Sequence, residues 1–318
     1  MATAEQIKSL IRSHFDQDRE QFTTIALQVA AHEARKGHSS IAHEIRGLVD
    51  KGKFSPVKVL PLHREFSDFI LPSSPKERLA DIVLNVEMEF RIKRILKEYR
   101  QQARLKKYGL SNRRKILLAG PPGTGKTMSA TVIAGELNLP LYTVLTDKLV
   151  TKFMGETSAK LRQIFDIMRE RRGVYLFDEF DAIGAERSRD NDVGEMRRVL
   201  NSFLQFLELD DSDSLVIAAT NTPKILDQAL FRRFDDTMHY SLPSEKEIIS
   251  LIKNRLGEFM PASLSTKAVA NIAKDLSHAE IALACDDAIK EAILADKNRI
   301  TATQLRAMLE ERKEAYGH

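Results

Sequence analysis

The segment Gly120, Pro121, Pro122, Gly123, Thr124, Gly125, Lys126, Thr127 constrains this chain more than any other stretch of it. It follows an apolar, strand-like run, Lys115 to Ala119, and opens a helical pattern that begins at Met128. Strand, glycine-rich turn and helix in that order is the setting in which a loop ending Lys-Thr binds phosphate. Its glycines let backbone N–H groups turn inward around phosphate oxygens, and the helix N-terminus adds partial positive charge. In such a loop Lys126 reaches the β- and γ-phosphates of a nucleotide, and the Thr127 hydroxyl ligates Mg²⁺.

Around the loop the apolar pattern alternates. Between about Lys76 and Pro243, strand-like runs at Lys115–Ala119, Leu141–Leu145, Val174–Phe177 and Leu215–Ala219 are separated by helical patterns. That alternation predicts an α/β fold in which a parallel sheet carries helices on both faces. From Ser244 onward the pattern is helical only, with capping-box spacing at Ser244/Glu247 and at Ser277/Glu280. From about Ala4 to Leu48 it is helical again, with Ile7, Leu10 and Ile11, then Phe22, Ile25, Ala26, Val29 and Ala30, at three- and four-residue steps. Between these regions Pro56, Pro61, Pro72 and Pro75 mark a linker or extended arm. The expected organisation is a helical N-terminal region over 1–50, a Pro-rich linker over 51–75, a nucleotide-binding α/β domain over 76–243 and a small helical lid over 244–318.

Two more strand ends carry polar residues. Val174–Phe177 runs into Asp178 and Glu179, and two adjacent carboxylates at the end of a buried strand are costly unless they have a task. Asp178 is the expected Mg²⁺ holder, and Glu179 the base that orients and polarises an attacking water. Leu215–Ala219 runs into Thr220 and Asn221, at the sheet edge where ligands gather. Asn221 is expected to place that water; a turn residue closing the strand is the plainer alternative.

Composition narrows the remaining classes. With 49 Lys and Arg against 45 Asp and Glu, the net charge of +4 gives little support to nucleic-acid binding. The exception is Arg91 to Lys115, with eleven basic residues and one acid, Glu98, which reads as a solvated helix of long side chains rather than a nucleic-acid face. The single cysteine, Cys285, reads as core packing on a helix and fits a reducing compartment. His32, His38 and His43 lack the Cys or acidic partners of a metal site and read as surface or packing residues. No apolar stretch approaches the roughly 20 residues that span a bilayer, and no signal-peptide core opens the chain. The expected location is cytoplasmic.

Taken together, the motifs resemble the AAA ATPases, of the kind found in katanin, spastin and the proteasomal ATPases, over about Leu79 to Glu311. They occur in family order: the glycine loop, Phe177 to Gly184 (F-D-E-F-D-A-I-G), Ala218 to Asn221 (A-A-T-N), Leu226 to Asp235 (L-D-Q-A-L-F-R-R-F-D) and Ser277 to Glu280 (S-H-A-E). The resemblance implies a P-loop α/β domain with a helical lid, ATP and Mg²⁺ as cofactors, and a homo-oligomer, usually a hexamer. It implies that Arg232 and Arg233 are arginine fingers reaching a neighbour's site, with an ion pair at a domain edge as the plainer alternative, although Asp236 stands where some relatives carry a further arginine. It implies a pore loop at Phe153, Met154 and Gly155 that grips an extended polypeptide; a Phe packed into its own domain is the plainer alternative. It also implies adenine contacts from Asp81 and Val83 on one side and from His278 and Ala279 on the other. Many relatives have Gly at the His278 position, and the lid offers no clear arginine of the kind that clamp loaders use. The expected function is ATP-driven remodelling, unfolding or disassembly of a protein, with a separate chain supplying any adaptor, effector or peptidase. The alternatives are a nucleotide-dependent regulatory switch and a nucleic-acid-handling ATPase.

Overall fold

The computed structural model describes residues 4–15, 19–53, 69–146, 148–149, 157–181, 192–223, 228–261 and 263–316. The chain divides into two compact units, Met1–Val57 and Lys58–His318. Among the described residues the first holds three helices, α1 (Ala4–Phe15), α2 (Arg19–Arg35) and α3 (Ser39–Lys53). Ile25, Ala26, Val29 and Ala30 share one face of α2 and are buried, together with Ala42 of α3. Ile7 and Ile11, one turn apart on α1, remain about half exposed at 48% and 53%. His38 Nδ1 lies 2.7 Å from Glu33 Oε2, a local pair across the turn between α2 and α3.

The second unit is built on a sheet. Its elements run β1 (Ile70–Ser73), α4 (Val86–Arg100), α5 (Gln102–Lys107), β2 (Lys115–Ala119), α6 (Lys126–Leu137), β3 (Leu141–Leu145), α7 (Thr157–Glu170) and β4 (Val174–Asp178). There follow α8 (Asp192–Leu209), β5 (Leu215–Thr220), α9 (Gln228–Phe231) and β6 (Asp236–His239). The six strands lie in the order β1-β3-β4-β5-β2-β6. β1 is antiparallel to β3, and the other pairings are parallel.

Side-chain alternation along each strand makes two cores. Leu117, Tyr142, Val144, Tyr175, Phe177, Val216 and Ala218 face α7 and α8, where Phe165, Phe180 and Phe203 complete an aromatic cluster. Ile116, Leu118, Leu141, Val174, Leu176, Leu215 and Ile217 face α4 and α6. The expected parallel sheet with helices on both faces is present, and its four apolar runs are β2 to β5. β1 and β6 carry no such signal. Each has four residues, and β1 contains Pro72, which an edge strand tolerates because one side of its backbone is unpaired.

The basic stretch is not a uniformly solvated face. Arg91 and Arg94 pair with Asp236, Arg113 with Glu98, and Arg114 with Asp210; Lys93 pairs with Glu89, Arg100 with Glu136, and Lys106 with Asp213. Asp236 and Asp210 are buried, so their pairs fasten α4 and β2 to neighbouring elements.

The lid packs α10 (Glu245–Leu256), α11 (Thr266–Ile272), α12 (His278–Leu294) and α13 (Ala302–Tyr316) around its own apolar core. Both expected capping boxes are formed, at Ser244/Glu247 and Ser277/Glu280. Cys285 is buried in this core, and desolvation pushes its thiol up to about 12.

Candidate functional site: a phosphate cradle at the strand ends

Three neighbouring strands, β4, β5 and β2, end at the same edge of the sheet. β2 runs into the glycine loop, β4 into Asp178 and Glu179, and β5 into Asn221. The strand order therefore brings together three segments that are far apart in the sequence.

The loop is held tightly from outside. Gly120 N donates to Thr220 O at 3.2 Å, and Tyr240 N donates to Ala119 O at 2.7 Å. A Cβ on Gly120 would overlap the Tyr240 carbonyl oxygen, so only glycine fits there. Within the loop Thr124 is buried and its hydroxyl donates to Pro121 O at 2.8 Å, while Pro121 and Pro122 are exposed. Lys126 is buried, and its ammonium donates to Gly120 O at 2.8 Å and Pro121 O at 2.7 Å. Burial lowers its pKa, and the charges of Asp178 and Asp181 oppose that shift.

At the end of β4 the Thr127 hydroxyl donates to Asp178 Oδ2 at 2.8 Å. Asp178 Oδ1 accepts from Glu179 N at 3.0 Å. Glu179 has φ 50, a left-handed conformation that costs a non-glycine residue about 1 kcal/mol or more. It is held there from both sides. Phe180 N donates to Ala219 O at 2.8 Å and its ring is buried against Phe203. Thr146 Oγ1 donates to Asp178 O at 2.6 Å and approaches Glu179 O at 3.2 Å. The side chain of Glu179 is thereby left exposed beside the loop.

Two of these residues escaped the sequence reading. Asp181 accepts from Asn221 N and from Thr222 Oγ1, each at 3.2 Å, and so fixes the turn that carries Asn221. It stands in the F-D-E-F-D segment two residues after Glu179, which was the available signal. Thr146 immediately follows β3 and had no signal beyond its place at a strand end.

The lid closes on the loop from the other side. Ala279 N, in the first turn of α12, donates to Gly123 O at 3.0 Å. A Cβ on Gly123, at φ 71, would overlap Ser277 Oγ. His278 lies between these two contacts; burial lowers its pKa, with the Glu247 charge opposing. Ile82 Cδ1 packs beside Gly125, with the exposed Asp81 and half-buried Val83 on either side of it in sequence. The Asp81 carboxylate accepts from Arg78 N at 2.7 Å and caps its own turn. Met128 is half-buried in the first turn of α6.

Arg232 and Arg233 are not part of this cluster. They follow α9 on an exposed turn, and Arg233 pairs with Glu208 of α8. Asp235 in the same turn accepts from Arg114 N and Lys115 N at 2.9 Å each, at the amino end of β2. The glycine loop leaves the carboxyl end of that strand. Asp236, at the position where some relatives carry arginine, is buried on Arg91 and Arg94. Phe153, Met154 and Gly155 lie outside the described residues.

Residues 116–242 match the family described as ATPase family associated with various cellular activities (AAA). The chain is 32% identical to an AAA family ATPase of Sinorhizobium fredii over 307 residues, 94% of this chain and 92% of that one. This chain belongs to the AAA family of ATPases. As an AAA ATPase it is also similar to the proteasome-activating nucleotidase of Methanococcus maripaludis, at 34% over 208 residues, 63% of this chain and 51% of that one. Similarity to the ATP-dependent zinc metalloprotease FtsH 1 of Salinibacter ruber is 32% over 248 residues, 76% of this chain and 34% of that one. The chain thus spans about half the length of the nucleotidase. Among the described residues no helix is long and apolar enough to cross a membrane.

The cradle suits a magnesium–nucleotide. A buried ammonium whose bonds go to loop carbonyls, at a helix N-terminus, suits polyphosphate, and a hydroxyl paired with a carboxylate supplies the hard oxygens that Mg²⁺ prefers.

Proposed function

We propose that this AAA ATPase works as a ring of identical subunits, a hexamer, that uses hydrolysis to unfold or disassemble a protein drawn through its centre. In this reading the backbone of Pro121 to Thr127 cradles the phosphates. Lys126 turns from the loop carbonyls to the β- and γ-phosphates. Asp178 and Thr127 hold Mg²⁺, which neutralises phosphate charge when bound. Glu179 takes a proton from the attacking water, and Asn221, steadied by Asp181, orients that water. Asp81, Val83, His278 and Ala279 enclose the base.

One observation carries the ring. The turn with Arg232 and Arg233 sits at the amino end of β2, whereas the cradle sits at its carboxyl end. β2 has five residues, and at about 3.3 Å per residue the two ends are roughly 15 Å apart, beyond the reach of an arginine in the same subunit. Fingers facing away from their own site suit one supplied by a second copy, where they stabilise transition-state charge. Mixing Arg233→Ala subunits with Glu179→Gln subunits tests this. Each is expected to be inactive alone, and the mixture to regain ATPase activity at interfaces that pair an intact Arg233 with an intact Glu179. A mixture as inactive as its parents, although electron microscopy shows mixed rings, counts against fingers shared between subunits.

Similarity to a proteasome-activating nucleotidase and to an ATP-dependent protease supports a protein substrate. So does the consumption of seven basic side chains in Arg91 to Lys115 by carboxylates, which leaves less charge for nucleic acid. Phe153, Met154 and Gly155 are the proposed grip, and the N-terminal helices the proposed dock for substrate or adaptor. Phe153→Ala is expected to keep basal ATPase activity and melting temperature while losing the mechanical output. A variant that still processes its substrate normally refutes threading.

A further inference from the structure

The glycine loop is braced by a residue outside every motif named above. Tyr240, at the exit of β6, is buried, and its hydroxyl lies 2.7 Å from Ser129 Oγ. Ser129, fully buried in the first turn of α6, lies 2.9 Å from Gly125 O through the same hydroxyl oxygen. The proton directions are forced. A carbonyl only accepts, so the single Ser129 proton goes to Gly125 O, and Tyr240 must donate to Ser129. Burial pushes the Tyr240 hydroxyl up to about 12, so it keeps the proton it donates at any ordinary pH. Gly125 O also accepts from Ser129 N at 2.9 Å.

This carbonyl belongs to the same peptide group as the Lys126 N–H. A trans peptide is planar, with its C=O and N–H pointing in opposite directions. Two hydrogen bonds that hold Gly125 O toward the body of α6 therefore hold Lys126 N–H outward, into the cradle. The chain from Tyr240 through Ser129 to Gly125 also polarises that peptide group, because successive hydrogen bonds strengthen one another. At the other end of the loop the Tyr240 backbone bonds Ala119 O and fills the space beside Gly120. One residue thus holds the loop at its entry and at its exit.

We propose that Tyr240 is a positioning residue for nucleotide binding, acting through Ser129 to aim the Lys126 N–H at phosphate. The inference rests on the reading of this loop as the phosphate cradle. Titrating the full chain with a fluorescent ADP analogue, alongside thermal unfolding, tests it in three variants. Tyr240→Phe leaves Ser129 bonded to Gly125 and is expected to weaken binding about three- to tenfold, the worth of roughly one hydrogen bond. Ser129→Ala strands the Tyr240 hydroxyl in the core and is expected to lower the melting temperature further than Tyr240→Phe does. The double variant has neither group to satisfy, so its melting temperature is expected to recover while its binding stays weak. Binding that recovers together with stability in the double variant, or wild-type binding by Tyr240→Phe, overturns the inference and leaves Tyr240 a packing residue. Should the double variant fail to fold, Tyr240→Phe decides alone. Lys126→Ala separates the two levels: if it binds the analogue as tightly as wild type, the cradle reading fails and the inference falls with it.

Discussion

The two ends of β2 carry the residues proposed for nucleotide chemistry in opposite ways. At the carboxyl end the loop, Asp178, Glu179, Asn221 and the first turn of α12 meet through hydrogen bonds made within one chain. At the amino end the turn bearing Arg232 and Arg233 is anchored by Asp235 on β2 and Asp236 on α4; both arginines are exposed, and Arg233 pairs with Glu208 of the same chain. On the proposed reading, a single subunit supplies a nearly complete binding site and leaves the catalytic one to be completed by a neighbour. In the proposed ring, Arg233 would leave its exposed pair with Glu208 to reach a second chain.

The largest effect is expected at the carboxyl end of β2. Glu179→Gln keeps the loop intact, so nucleotide should still bind while hydrolysis falls by about 10²–10⁴, the usual worth of a general base. Single-turnover hydrolysis measured beside nucleotide binding checks this, and wild-type hydrolysis would remove Glu179 from its role. A smaller effect is expected at the anchor of the finger turn. Asp236→Asn leaves Arg91 and Arg94 facing a neutral group in a buried setting and should cost about 3 kcal/mol of stability, seen in denaturant unfolding. If unfolding is unchanged, the turn is not held by this pair. The smallest effect belongs to Glu208→Gln. Its pair with Arg233 is solvent-exposed, so stability should change by less than about 1 kcal/mol. A larger loss would mean that Glu208 braces the turn as Asp236 does.

Features held in a few adjacent residues were legible in the sequence, and features that depend on distant partners were not. β2 to β5 were legible because each carries four or five apolar residues, most of them buried, on alternating faces. β1 and β6 were not, since four mixed residues at a sheet edge carry no period. The places of the glycine loop, Asp178, Glu179 and Asn221 were legible because each follows directly on an apolar run. Asp181, Thr146, Tyr240 and Glu208 act through partners more than twenty residues away in the chain, so local pattern gave them no meaning. The same holds for the basic stretch, where the carboxylates that engage Arg91, Arg94, Arg100, Lys106 and Arg114 come from distant segments.

What could be read without the fold was therefore local: a glycine-rich turn between strand and helix, buried strands ending in carboxylates or amides, and helix starts with their caps. These follow from backbone geometry and side-chain chemistry over a few residues. Only the tertiary structure decided which strand ends become neighbours, and hence that Asp178 meets Thr127 while Asp181 holds Asn221. It also decided that Arg232 and Arg233 sit at the far end of the sheet from the loop, and that Asp236 turns inward where a further arginine would otherwise stand. The physical reason is that hydrogen bonds and ion pairs across a sheet depend on strand order and register, which arise from packing the whole core and are written in no single segment.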